Sequence, residues 1–160
     1  LLTSSHRDRV DERRIMVHRF MIINGPNLNA LGVREPHLYG SETLDDIKCY
    51  TEKKLSDQDV VLEWFQSNNE GAIVNKIHEL RGGDFQGLII NPGAFSHTSI
   101  AILDALKTLS IPVTEVHLSH TTKRESFRSV KLTAKASTTI MEGFGRDAYH
   151  VAIYGQLNSK

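Results

Sequence analysis

The groups in this sequence best suited to move protons and hold an anion are a tyrosine, a few arginines and a Glu-x-His pair. Arg34 and Tyr39 fall in one polar stretch, INGPNLNALGVREPHLYG (23–40), which has no Ser-His pair, no cysteine and no acidic cluster. A free phenol loses its proton near pH ~10. A nearby guanidinium favours the phenolate and lowers that value. A tyrosinate can then take a proton that a carboxylate cannot. A packed loop aromatic is the other role open to Tyr39. His117 follows Glu115 by two positions, and alternate residues of a strand share a face, so Glu115 can orient the imidazole. His117 is then either a general acid or a hydrogen-bonded structural histidine. The stretch KRESFRSVKLTAK (123–135) carries five basic residues and one acid. It is either a solvated basic loop or one in which Arg124 or Arg128 grips a carboxylate or phosphate, whose paired oxygens match a guanidinium fork.

Other chemistries lack their residues. No GxSxG elbow, GxGxxG turn or GxxxxGK[ST] loop is present. Ser119 beside His117 does not make a triad. His97, His117 and His120 are close enough in the pattern to suggest a metal, but their loops supply no Cys ligand and no HExxH helix, so none is expected. With 19 basic and 19 acidic residues the chain has no global pull toward nucleic acid or membrane, and no aromatic ladder accompanies the basic stretch. No apolar run approaches the ~20 residues that span a bilayer. Cys49 is the sole cysteine, so no internal disulfide forms and a reducing, cytoplasmic setting is expected. A flavin or nucleotide site would rest on fold alone, a weak warrant. What remains is a site of Asn, His, Arg, Tyr and Ser around a small polar molecule.

The elements that must position these groups alternate. Apolar or β-branched runs predict strands at 19–23, 60–65, 87–90, 112–118 and 137–144. Stripes at the 3.6 period predict helices at 43–56, 70–83, 98–109 and 147–157. Strand-helix repetition predicts an α/β fold: a flavodoxin-like three-layer sandwich whose five-stranded parallel sheet has the order 2-1-3-4-5. Residues 1–18, with four Arg and three acids and no periodicity, read as a mobile extension or a basic arm, leaving 19–160 as a single domain. The polar stretches NGPNLN, QSNNEG, NPGAFSHTS and HLSHTTKRESFR each follow a strand. In a parallel sheet they leave one edge, where ligands of open α/β sheets bind, so all four are expected to wall one cleft. The stretch after the first strand is long enough to serve as a lid.

Taken together, INGPNLNALGVREPHLYG, QSNNEG, INPGAFSHTSIAILDAL and EVHLSHTTKRESFR resemble the type II 3-dehydroquinate dehydratases, the type II dehydroquinases, from about Phe20 to Leu157. The ordered patterns NGPNLN-x-LG-x-REP-x-x-YG and NPGA-x-[ST]HTS carry the resemblance. It implies the same flavodoxin-like fold and the anti elimination of water from 3-dehydroquinate through an enolate, in the shikimate or quinate pathway. It also implies no cofactor, no metal, no Schiff base, and a homo-oligomer, commonly a dodecamer of four trimers. By the resemblance Tyr39 is the base, Arg34 its activating neighbour on the lid, His117 the acid and Glu115 its orienting partner, and Asn27 helps stabilise the enolate. Asn91, His97, Leu118, Ser119 and Arg128 match the substrate-binding set, with Arg128 and the backbone around Leu118-Ser119 serving the carboxylate. Arg124 matches a second lid arginine, and Asp104 an acid that reaches a neighbouring subunit's site. The sequence departs from the family at His120, usually Asn, at QSNNEG for QSNHEG, and at SVKLTAK, where a His-rich HHSYLS segment is usual. These changes border the carboxylate loop and leave every proton-transfer position in place.

Overall fold

A computed structural model describes residues 16–33, 37 and 40–159. Five parallel strands form one sheet: β1 (His18–Asn24), β2 (Val60–Gln66), β3 (Phe85–Asn91), β4 (Val113–His117) and β5 (Thr139–Glu142), in the order β2-β1-β3-β4-β5. The expected order and direction are those observed. Among the described residues four helices flank the sheet: α1 (Leu44–Lys54), α2 (Glu70–Glu79), α3 (Ile100–Leu106) and α4 (Ala148–Asn158). Among the described residues no helix is long and apolar enough to cross a membrane.

The three layers follow from the alternation of side chains along the strands. On β1, Phe20 and Ile22 pack with Ile47 of α1 and Ala152 and Ile153 of α4. Their neighbours Met21 and Ile23 face the other way, onto Ile73 and Ile77 of α2 and Ile102 and Leu106 of α3. The same parity on β4 sends Val116 to the first face and Val113 to the second. Glu115 and His117 therefore lie on the α2/α3 side, at the carboxyl end of their strand.

Local chemistry sets the element ends. Thr43 and Asp46 form a reciprocal capping box at the start of α1, and the side chains of Asn69 and Ser99 cap α2 and α3. The helix expected over 98–109 is shorter at both ends. A 3-10 turn, Gly93–His97, occupies the approach to Ser99. After Leu106 the chain tightens: Thr108 N–H bonds Ala105 O at 3.0 Å, and the Thr108 hydroxyl donates to the same carbonyl at 2.7 Å. The strand expected over 137–144 keeps only its middle, because Gly143 takes a φ of 80° that ends the extended run.

The loops after β1 and β3 lock into each other. Gly25 N–H donates to Asn91 O at 2.7 Å. A Cβ at Gly25 would lie 2.3 Å from the Pro92 carbonyl oxygen, and one at Gly93 would lie 3.1 Å from the Pro26 oxygen. Two backbones at this separation leave no room for a side chain. Gly25→Ala is expected to cost about 1–3 kcal/mol of stability through forced backbone movement. Urea unfolding reads this directly, and an unchanged midpoint would show that the loops separate freely.

Candidate active site

Where the sheet order changes direction, between β1 and β3, the connections diverge to opposite faces and open a crevice at the strands' carboxyl ends. The cleft here lies at that point. Its walls are Pro26 and Asn27 after β1, Asn91, Gly93 and His97 after β3, and His117, Leu118, Ser119, Arg124 and Arg128 at and beyond the end of β4. It encloses about 640 Å³ including its open mouth. Of the expected site residues, Arg34 and Tyr39 lie outside the described residues.

Glu115 is fully buried, and a buried carboxylate must have partners. It has three. His117 Nε2 meets Oε1 at 2.7 Å, the Ser96 hydroxyl donates to the same oxygen at 2.8 Å, and the Thr133 hydroxyl donates to Oε2 at 2.7 Å. The carboxylate is thus fixed from three segments, and it fixes the His117 ring in turn. With Nε2 on Glu115, Nδ1 is the ring nitrogen left for proton transfer, and the carboxylate gives a protonated ring its counter-charge. The expected pairing of residues two apart on one strand is observed.

His97 stacks near His117, with ring centroids 6.4 Å apart and planes 20° from parallel. Its Nδ1 lies 2.6 Å from Val130 O, so that nitrogen carries the hydrogen. Burial pushes the His97 pKa down. The Val130 carbonyl opposes this, but the neighbouring His117, Arg128 and Lys131 add to the burial effect, so the ring is held below the ordinary histidine value. At neutral pH His97 is therefore a neutral ring with Nε2 as an acceptor.

Asn27 is the one non-glycine among the described residues with positive φ, at 66°. Asn tolerates this left-handed conformation better than most residues. Asn68 Oδ1 accepts the Asn27 N–H at 2.9 Å, and Gln66 Nε2 ties Asn68 to Gly25 O. QSNNEG was expected to wall the cleft. Among the described residues it does not; it buttresses the β1 loop from behind and holds Asn27 in place.

Asn91 lines the cleft but is also structural. Its Nδ2 donates to the Tyr149 hydroxyl at 3.2 Å, and its Oδ1 accepts from Gly93 N at 3.2 Å. The Tyr149 hydroxyl in turn donates to Asn24 Oδ1. Burial raises the Tyr149 pKa far above the usual phenol value, against a smaller opposing effect of Asn91. That hydroxyl is consequently a hydrogen-bonded strut and no base. Arg128 Nε donates to Glu125 at 2.7 Å, and Arg124 Nε lies 3.7 Å from the same oxygen. Glu125 thus holds both arginines at the cleft rim. Asp104 is not brought to this cleft. It is exposed on α3, 3.6 Å from Lys107.

Sequence reasoning gave no role to Ser96, Thr133, Glu125 or Asn68. Ser96 stood in a quoted motif, beside His97. Thr133 stood in the segment that departs from the expected family pattern, and only the fold reveals that this segment returns to Glu115.

Comparison with known proteins identifies the family. The family described as Dehydroquinase class II matches residues 18–157. The chain is 48% identical to the 3-dehydroquinate dehydratase of Helicobacter hepaticus over 139 residues, covering 87% of this chain and 88% of that protein. It is 47% identical to the 3-dehydroquinate dehydratase of Caulobacter vibrioides over 138 residues, 86% of this chain and 94% of its relative. The crystal structure of a type II dehydroquinase from Butyrivibrio crossotus superposes with a TM-score of 0.86 at 38% identity, covering 88% of this chain and 98% of that one.

Proposed function

Because this chain belongs to the class II dehydroquinase family, we propose that it is a 3-dehydroquinate dehydratase, a hydro-lyase that forms 3-dehydroshikimate and water. The observation that carries the reading is the His117–Glu115 pair, presented at the floor of a cleft whose rim holds two arginines.

The reaction divides among the chain's own groups. Tyr39, as tyrosinate favoured by Arg34, takes a proton from the carbon alpha to the ketone. The C–H electron pair moves to the carbonyl and makes an enolate. Asn27, which lines the cleft and whose backbone N–H is held by Asn68, donates toward that developing charge. The enolate then collapses, the C–O bond breaks on the opposite face, and His117 gives its proton to the departing hydroxyl as water. Tyr39 ends protonated and His117 neutral; return of one proton from the first to the second through solvent resets the site. Arg128 and the backbone at Leu118-Ser119 hold the substrate carboxylate, with Arg124 closing above. Asn91 and the neutral His97 contact the hydroxyl groups. The role extends to the shikimate or quinate pathway, in which this reaction stands.

Asp104 is exposed on α3 and away from its own cleft, which supports a role for it at a neighbouring subunit's site in a dodecamer of four trimers. The route forms no covalent bond to the protein. Turnover of 3-dehydroquinate should survive sodium borohydride, with the protein mass unchanged. A reduced substrate adduct on the protein, with loss of activity, would refute this route.

A further inference from the structure

The segment SVKLTAK, which the proposed reaction leaves without a task, fastens to the site at four successive residues. Val130 O takes His97 Nδ1, Lys131 Nζ reaches Glu142 Oε1 at 2.5 Å, Leu132 N–H donates to Ser96 O at 2.7 Å, and Thr133 holds Glu115. The Lys131 contact differs from the others, because it closes a loop. The first part of the connection from β4 to β5, from Leu118 to Lys131, carries Arg124 and Arg128. Near its start, the Thr121 hydroxyl donates to Glu142 Oε1 at 2.9 Å; at its end, Lys131 meets the same oxygen. Both ends of the loop thus converge on one carboxylate.

That carboxylate is fixed to the catalytic strand. Glu142 is the register partner of His117 across β4 and β5, and the next residue, Gly143, donates its N–H to His117 O at 3.1 Å. The ion pair is sheltered, with side-chain exposures of 14% for Lys131 and 17% for Glu142, so salt screens it weakly. Burial alone would raise the Glu142 pKa, but the Lys131 and Thr121 bonds outweigh it and hold the group below the ordinary carboxylate value. Between the two ends, Glu125 joins the arginines to each other.

We propose that Glu142, paired with Lys131, is a positioning residue that clamps both ends of the loop carrying Arg124 and Arg128, and so sets the grip on the substrate's carboxylate. This rests on the function proposed above. Among the described residues neither Glu142 nor Lys131 hydrogen-bonds the His117 ring, whose Nε2 is on Glu115, so the clamp acts on binding more than on chemistry.

The test uses Glu142→Gln, Lys131→Met and Lys131→Arg in the full chain, with 3-dehydroquinate as substrate. Glu142→Gln and Lys131→Met are expected to raise KM about tenfold with kcat within about twofold, the pattern of lost uniform binding. Lys131→Arg, which keeps the ion pair, should retain the original KM. Hydrogen exchange gives a second readout that needs no turnover: amides of 121–131 should exchange faster in Lys131→Met than in Lys131→Arg. Lys131→Met removes a group at the loop's end and keeps the test open if Glu142→Gln does not fold. An unchanged KM in folded Lys131→Met, a fall in kcat at constant KM, or unchanged loop exchange would overturn the clamp. If the unmodified chain lacks turnover, the functional reading fails, and the exchange experiment alone decides the clamp.

Discussion

Tyr39→Phe is expected to lower kcat for 3-dehydroquinate by about a hundred- to ten-thousandfold, with little change in KM. The substitution keeps the ring and removes only the oxygen that accepts the proton. No other phenol near the cleft can replace it among the described residues. Tyr149 is the nearest by contact, through Asn91, yet burial raises its pKa and its hydroxyl is committed to Asn24 and Asn91. Steady-state kinetics on protein with an unchanged circular dichroism spectrum checks this. Retention of full activity would show that Tyr39 is a packed loop aromatic and that the base lies elsewhere.

His117→Ala is expected to have a kcat effect of similar size, about a hundred- to ten-thousandfold, because the departing hydroxyl then leaves without a proton donor. It should also lower stability, which Tyr39→Phe should not. Glu115 stays fully buried with only Ser96 and Thr133 as partners, and stripping one partner from a buried charged group costs about 3–5 kcal/mol when the pair is ionic. Denaturant unfolding separates the two effects. A folded His117→Ala with full turnover would assign His117 a structural role and remove it from the chemistry.

These two residues were legible to different degrees. The fold could be read because short apolar runs alternate with helical stripes, and on β1 Phe20 and Ile22 pack on one face and Met21 and Ile23 on the other, as in a strand covered on both sides. The Glu115–His117 contact could be read because a strand's period of two is fixed by covalent geometry. The remaining partners of Glu115 could not. Ser96 and Thr133 come from segments 19 and 18 residues away, on either side of β4, and nothing local tells a hydroxyl that it will meet a carboxylate. The same holds for QSNNEG. Its place after a strand suggests a cleft wall, but Gln66 and Asn68 turn to the back of the β1 loop, where Asn68 steadies Asn27, and Asn69 caps α2. At the end of α3 Leu109 continues the apolar stripe and so suggests a longer helix, whereas the Thr108 hydroxyl tightens the backbone onto Ala105 and ends it. Side-chain periodicity reports which face is buried, and it says little about where a hydroxyl will intercept a carbonyl.

In the proposed function this cleft eliminates water from 3-dehydroquinate. The product, unlike the substrate, holds its ketone in conjugation with a carbon–carbon double bond, so its formation is visible as ultraviolet absorbance. Purified protein mixed with 3-dehydroquinate at neutral pH, with nothing else added, should give a rise that continues through many turnovers and is abolished in Tyr39→Phe. Folded protein that produces no rise at any substrate concentration would contradict the account.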